Sequence, residues 1–290
     1  MTVPRSGSLF DAERPWRIAL AARPGLVVAW TLLAIGAIVM MTPLVYMIGT
    51  SFKAAHEVYD INIVPHEPTF QNYLFIFGKT RFGLWFVNSL VTSLLVTASV
   101  LFFDALIGYT LAKFSFRGRE VVFIAILTTL MIPTEMLIVP WYVMAKNFGW
   151  LNSYWGIMFP GLMTGFGVFL MRQFFLGVPD DYIHAARIDG LGEFAIWWKV
   201  ALPLVTPALS ALAIFTFLGN WTAFLWPLIV TNDRALYTLP VGLASFSGEN
   251  LTEWELVMAG ATIATLPTLI VFIIFQRYII RGVVLAGLKG

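Results

Sequence analysis

Stretches of uncharged, mostly apolar residues recur along the chain at bilayer-spanning length. They run Pro24–Phe52, Phe82–Phe103, Asn147–Met171, Val200–Asn232 and Leu256–Gln276, and a sixth, Val121–Ala145, is interrupted only by Glu135. A helix needs about 20 such residues to cross about 30 Å of hydrocarbon, so the pattern predicts six spans, near 26–49, 84–111, 121–145, 154–176, 205–230 and 257–280. The runs are continuous rather than alternating, which favours helices over the strands of a barrel. The expected fold class is an all-α integral membrane protein with six transmembrane helices.

Composition agrees. Of 290 residues 59% are hydrophobic and 12% charged, and the mean hydropathy is +0.82, whereas a soluble domain carries about 25% charge. The lack of cysteine excludes a disulfide scaffold, a thiolate zinc site and a cysteine nucleophile. A net charge of +2 is too small for a nucleic-acid footprint. The first 25 residues are polar and carry both signs, and no small-residue cleavage site follows the first apolar run, so the segment is expected to be retained rather than removed as a signal peptide.

Basic residues orient the spans. With the N-terminus inside, Arg5, Arg14, Arg17, Arg23, Lys113, Arg117, Arg119, Arg172, Arg187, Lys199, Arg277, Arg281 and Lys289 fall inside. Only Lys53, Lys79, Arg81, Lys146 and Arg234 fall outside. Both termini are therefore expected at the cytoplasmic face. The chain divides into an N-terminal segment (1–25), a six-span domain (26–281) and a tail (282–290).

The inner loop at about 177–204, GVPDDYIHAARIDGLGEFAIWWKVALPLV, has a pattern of its own. Pro179 blocks continuation of the fourth span, and Asp180 or Asp181 can cap a new helix. That helix is expected over about Tyr182–Ile188, ending at Gly190, with a second over about Glu193–Leu202 ending near Pro203. Ala185 and Ala186 leave a low-relief patch, and Ile183, Ile188, Phe194 and Trp198 are potential anchors. Small residues between large anchors suit a helix held in a partner's groove; an interfacial helix without a partner has the same pattern.

The loop's spacing resembles the signature of ABC-importer permeases: E-A-A, three residues, G, nine residues, then I-x-L-P. Here Ala185, Ala186 and Gly190 are followed after nine residues by Val200, Leu202 and Pro203. MIPTEMLIVPWYVMAKNFGWLNSYWG, FLMRQFFLGVPDDYIHAARIDG, FLWPLIVTNDRALYTLPVGLASFSGE and FQRYIIRGVVLAGLKG extend the resemblance over nearly the whole chain, to the second permease of carbohydrate importers of the maltose-transporter type. Two departures stand out. His184 replaces the usual Glu, and Thr222-Ala223 replaces an Asn-Asp pair.

The resemblance implies a type I importer permease fold in a prokaryotic inner membrane, with a small-molecule sugar as substrate. It implies four partners: a homologous second permease, two ATPase subunits and an extracytoplasmic sugar-binding protein, the ATPases binding ATP and Mg. It assigns ATPase coupling to Asp181, His184, Ala185, Ala186, Asp189, Gly190, Leu202 and Pro203, and places the tail residues Gly287, Lys289 and Gly290 between the ATPase subunits. For the basic Arg277 and Arg281 a positive-inside anchor is the simpler role.

Polar groups inside spans face protein or water, which makes Asn88, Glu135, Gln173, Asn220 and Thr222 candidates for the substrate path, with Trp221 as a stacking surface for a sugar. For Glu135, just after Pro133, the alternative is a hydrogen bond between spans. Asp104 is nearer the inner face, where snorkelling or a partner such as Lys113 can satisfy it.

No nucleotide site is visible. Gly78-Lys79-Thr80 matches only the end of a P-loop, with Tyr73 at the first glycine position. His56-Glu57 and His66-Glu67 lack a second metal-binding His, and G-x-S-x-G is absent. The chain is therefore expected to be non-catalytic and to hold no cofactor or metal itself. The competing readings are a secondary transporter or channel, which predicts inverted repeats with broken helices, and a membrane enzyme, which needs a cluster of catalytic ionisable groups.

Overall fold

The structure, a computed structural model, describes residues 24–248 and 252–287. The N-terminal segment with Arg5, Arg14, Arg17 and Arg23 lies outside the described residues, as do Lys289, Gly290 and the side chains of Arg277 and Arg281. Among the described residues the regular elements are helices: α1 (Pro24–Ser51), α2 (Gln71–Lys79), α3 (Phe82–Lys113), α4 (Arg119–Thr129), α5 (Thr134–Asn147) and α6 (Tyr154–Met158). There follow α7 (Gly165–Leu176), α8 (Asp180–Ile188), α9 (Glu193–Leu204), α10 (Thr206–Trp221), α11 (Leu225–Val230), α12 (Leu239–Ala244) and α13 (Trp254–Gly287). Among the described residues the one β contact is an isolated bridge between Ser247 and Thr252.

Three segments, in α1, α3 and α13, are long and apolar enough to cross a bilayer unbroken. The other expected spans are bent. The stretch 121–145 is two helices at 98°, separated at Leu130–Pro133. Pro133 has no N–H to donate and pushes Ile132 out of the helical region, and helix restarts at Thr134. The fourth span bends by 44° between a helical stretch ending at Gly161 and α7. The fifth does not reach Val230 as one helix: α10 stops at Trp221 and α11 starts afresh at Leu225. Apolar run length alone shows none of these breaks, because breaks keep the apolar composition of the helices they interrupt; at the first, Pro133 is the one local signal.

α3 is the mast of the fold. It packs against α7 and α10, and its buried face carries Val96, Val100, Ala105 and Tyr109 into a core completed by Met171, Phe175, Trp197 and Leu212. A second core at the other end of α3 gathers Phe82, Trp85, Phe217, Trp221 and Leu239. α1 touches the body mainly along α13 and leaves Leu33, Ile38 and Met40 uncovered, a surface that only lipid or another protein can solvate.

One carboxylate holds α3 to α7. Asp104 is fully buried and accepts from the Thr164 amide (3.0 and 3.2 Å) and the Thr164 hydroxyl (2.7 Å). Thr164 in turn caps α7 by accepting from Gly167 N–H at 2.9 Å. A negative group at a helix N-terminus is electrostatically favoured, and Gly167 is required because a Cβ there would collide with the Asp104 carboxylate. The expected snorkelling or Lys113 contact is not made, since Lys113 lies nine residues, about 13.5 Å, further along the helix.

Asp104→Ala strands both Thr164 donors in a buried site, at a cost of about 1–3 kcal/mol. The thermal unfolding midpoint of the detergent-solubilised complex should drop accordingly, whereas Asp104→Asn, which keeps an acceptor, should drop less.

Candidate functional site

Two features are built on this frame, one at the Lys113 end of α3 and one near its middle. At the Lys113 end, α7 closes at Leu176 and Pro179 starts α8 from an extended conformation. Asp180 and Asp181 lie in the first turn of α8, and neither caps it. Asp180 instead receives Lys113 Nζ at 2.6 Å, and the same ammonium donates to the Val178 carbonyl at 2.6 Å. The Lys113 stem is nearly buried while Asp180 is exposed. This hydrogen bond with its charge holds the Asp180 carboxyl below its usual 3.8.

α8 ends in a Schellman motif: Gly190 N–H bonds Arg187 O (3.0 Å) and Leu191 N–H bonds Ala186 O (3.1 Å). Gly190 has φ +80°, which a β-carbon disfavours. Across that turn Arg187 clasps both Glu193 oxygens, at 2.6 and 3.2 Å, and this hydrogen bonding raises the guanidinium pKa. α9 then continues through a π-helical turn over Trp197–Ala201 in which Leu202 N–H reaches Trp197 O. The helix runs through Pro203 and ends at Leu204, close to the expected end, and the chain turns at Val205, where α9 meets α10 at 85°.

α8 is thus two-sided. Ile183 and Ala186 are buried against the α3–α7 core, so neither belongs to the outer patch that the sequence suggested. Helical geometry puts both on the inner face, three apart. Asp181, Tyr182, His184, Ala185, Ile188, Asp189 and Gly190 form the exposed side, with Ile188 86% exposed. Leu202 is half-buried against the core and Pro203 is exposed. Gly287 is the last described residue of α13.

The second feature is a cavity of about 260 Å³. Residues of three interrupted spans meet there: Thr134 follows the first break, Pro160 and Gly161 precede the second, and Asn220 in the last turn of α10 and Ala223 lie at the interruption between α10 and α11. Thr92 and Val96 of α3 form its floor, and Trp141, Trp226 and Thr238 add to the wall. Trp141 and Trp226 meet edge to face at 5.7 Å, and Trp226 Nε1 is tied to the carbonyls of Gly156 (3.0 Å) and Ile157 (3.2 Å).

Of the six path candidates, only Asn220 lines this cavity. Asn88 is fully buried: it accepts from Tyr154 OH at 2.7 Å and donates to Ala235 O and Tyr237 O. Trp221 stacks on Phe217 and donates to Ala264 O at 3.0 Å. Thr222 bonds back to Leu218 O. Glu135 and Gln173 are exposed on this chain, and Glu135 adjoins the cavity residue Thr134. The cavity's tryptophans are Trp141 and Trp226 rather than Trp221. Trp141 sits seven residues after Thr134, two turns along one face, a spacing that could have flagged it. Thr238, far away in the sequence, carries no such signal.

Lys113→Met should free the start of α8. In hydrogen exchange the amides of 178–188 should exchange faster by about tenfold, while those of α7 stay protected. The depressed Asp180 carboxyl stays ionised above 3.8, so in the wild type the pin persists across pH 5–8 and is lost only as pH falls through the lowered value.

Comparison with known proteins places this geometry. Residues 104–285 match the family described as binding-protein-dependent transport system inner membrane component. The chain is 36% identical over 253 residues (86% of its length, 90% of the relative's) to the arabinooligosaccharides transport system permease protein AraQ of Bacillus subtilis strain 168. It is 32% identical over 263 residues (87% and 94%) to the sn-glycerol-3-phosphate transport system permease protein UgpE of Yersinia pestis bv. Antiqua, strain Antiqua. Its fold resembles a chain of the crystal structure of a bacterial ABC transporter involved in the import of the acidic polysaccharide alginate, with a TM-score of 0.78, 23% identity and coverage of 87% of this chain and 95% of that one.

Proposed function

The chain belongs to the family of binding-protein-dependent transport system inner membrane components, and from that premise we propose that it is the permease subunit of a sugar importer whose stroke is delivered through α8. It pairs with a homologous permease, so that each supplies half of the path, and two ATPase subunits sit at the cytoplasmic face. An extracytoplasmic sugar-binding protein delivers the solute. ATP and Mg are bound by the ATPases, and both termini of this chain are cytoplasmic.

The observation that carries this reading is the two-sidedness of α8. Its inner face is built into the α3–α7 core and its first turn is pinned to Lys113, while Ile188, Tyr182 and Ala185 face outward. A helix so seated cannot move alone; a partner gripping its outer face moves α3 and α7 with it. Closure of the ATPase dimer then rocks the core of this subunit against its mate as a rigid body. The wall around Thr92 and Asn220 shifts with it, turning the path from one side of the membrane to the other. His184, exposed on the outer face, puts an imidazole where the family pattern has a carboxylate.

In proteoliposomes holding the complete importer and its binding protein, uptake of a radiolabelled sugar should require ATP on the ATPase side. Gly190→Pro demands a φ near −65° where the turn needs +80°. Substitutions along a coupling route change it by about 0.5–2 kcal/mol, so uptake per ATP should fall roughly two- to thirtyfold with hydrolysis retained. Uptake that continues without ATP would overturn the proposal and favour a secondary transporter, the reading for which the broken helices speak.

A further inference from the structure

The cavity where the three broken spans meet has a chemistry more specific than that of a generic path. Its lining contains no ionisable side chain. It does contain polar atoms with nothing to bond. Thr238 is 3% exposed, and its hydroxyl has no hydrogen-bond partner and does not cap α12, although the residue stands at that helix's N-terminus. Asn220 commits its amide nitrogen to Thr216 O at 2.8 Å, and its Oδ1 accepts from no described group. The Thr92 hydroxyl donates to the Asn88 and Ser89 carbonyls and keeps only acceptor capacity toward the cavity. An unpaired buried hydroxyl is costly, and a cavity with such groups is one that takes up polar matter.

Beside these groups stand the two tryptophans, one fixed by its indole hydrogen bonds. Hydroxyl-accepting atoms next to indole faces match a sugar ring, whose O–H groups need acceptors and whose C–H faces pack on aromatics. The volume, about 260 Å³, lies below the roughly 300–1,000 Å³ of a whole-ligand pocket, so the cavity holds one ring of a longer chain. A phosphate or carboxylate is poorly served there: no cation compensates its desolvation, the free atoms are mainly acceptors, and the neighbouring residue in sequence, Glu135, has the repelling sign.

We propose that this cavity is a sugar-contact site on this subunit's side of the path, and that it accepts an uncharged saccharide ring and disfavours phosphorylated or uronate rings. The proposal rests on the permease reading above and deepens it.

The chain has no cysteine, so Ala223→Cys places its one thiol in the cavity wall. In the assembled importer, alkylation of that thiol is followed by mass spectrometry of this chain. The probes are uncharged arabinotriose, maltotriose, cellotriose and raffinose, set against sn-glycerol 3-phosphate and trigalacturonate. At least one uncharged sugar should slow alkylation, and neither anion should.

Adding Thr238→Val or Trp141→Leu should raise the half-protecting concentration by about fivefold or more, the worth of a lost hydrogen bond or stacking face, whereas Trp141→Phe should retain protection. Protection by an anion alone, by none of the probes, or unchanged in the Thr238→Val and Trp141→Leu variants overturns the site. ATP-driven sugar uptake by the same assembly, measured in parallel, separates that failure from failure of the permease reading.

Discussion

A backbone in hydrocarbon has no water to bond with, so any stretch that leaves the helical conformation must be buried in protein or line a wet space. Three departures from helix within the apolar stretches of this chain open on the same cavity, beside Thr134, at Pro160–Gly161 and at Ala223 just past α10. The arrangement gathers the broken hydrogen-bond ladders of three departures around one polar space. The cavity is therefore lined by residues beside these breaks in the helices.

α3 connects that space to the loop end of the molecule. Thr92 and Val96 form the cavity floor, and Lys113, 21 residues beyond Thr92 or about 31 Å along the helix, pins the start of α8. Between them Asp104 fastens α3 to α7 through Thr164, and the aromatic core around Tyr109, Phe175 and Trp197 seats α8 and α9. Movement imposed on α8 thus reaches the cavity wall through packed elements, without a chain of independent contacts. Arg172 strengthens the same end: it bonds Glu120 at 2.8 Å and covers the Phe123 ring at 3.8 Å, joining α4 to α7.

The charges follow this economy. Lys113 and Arg172 have side chains that are nearly buried, and both have carboxylate partners and a carbonyl acceptor, as a buried cation requires. The exposed Arg187–Glu193 clasp contributes little by itself, but it spans the Gly190 turn and so limits how α8 and α9 can swing apart. The outer face of α8, by contrast, has exposed apolar groups that nothing among the described residues covers, the usual mark of a contact completed by another protein.

Much of this was legible in the residues themselves. Span number, the all-helical class and the two-helix loop turning at Gly190 follow from apolar run length, proline and glycine, all local properties that need no knowledge of what packs where. The importer family was readable from the order of motifs around that loop. The tertiary structure alone decided how each polar side chain is spent. Asp180 pairs with Lys113 instead of capping its own helix, Asp104 serves Thr164, Asn88 and Trp221 are absorbed into packing, and Trp226 and Thr238 come to the cavity from different elements. Local pattern shows that a polar group sits in an apolar run, but its partner is set by which distant helix passes within 3 Å, and only the folded chain determines that.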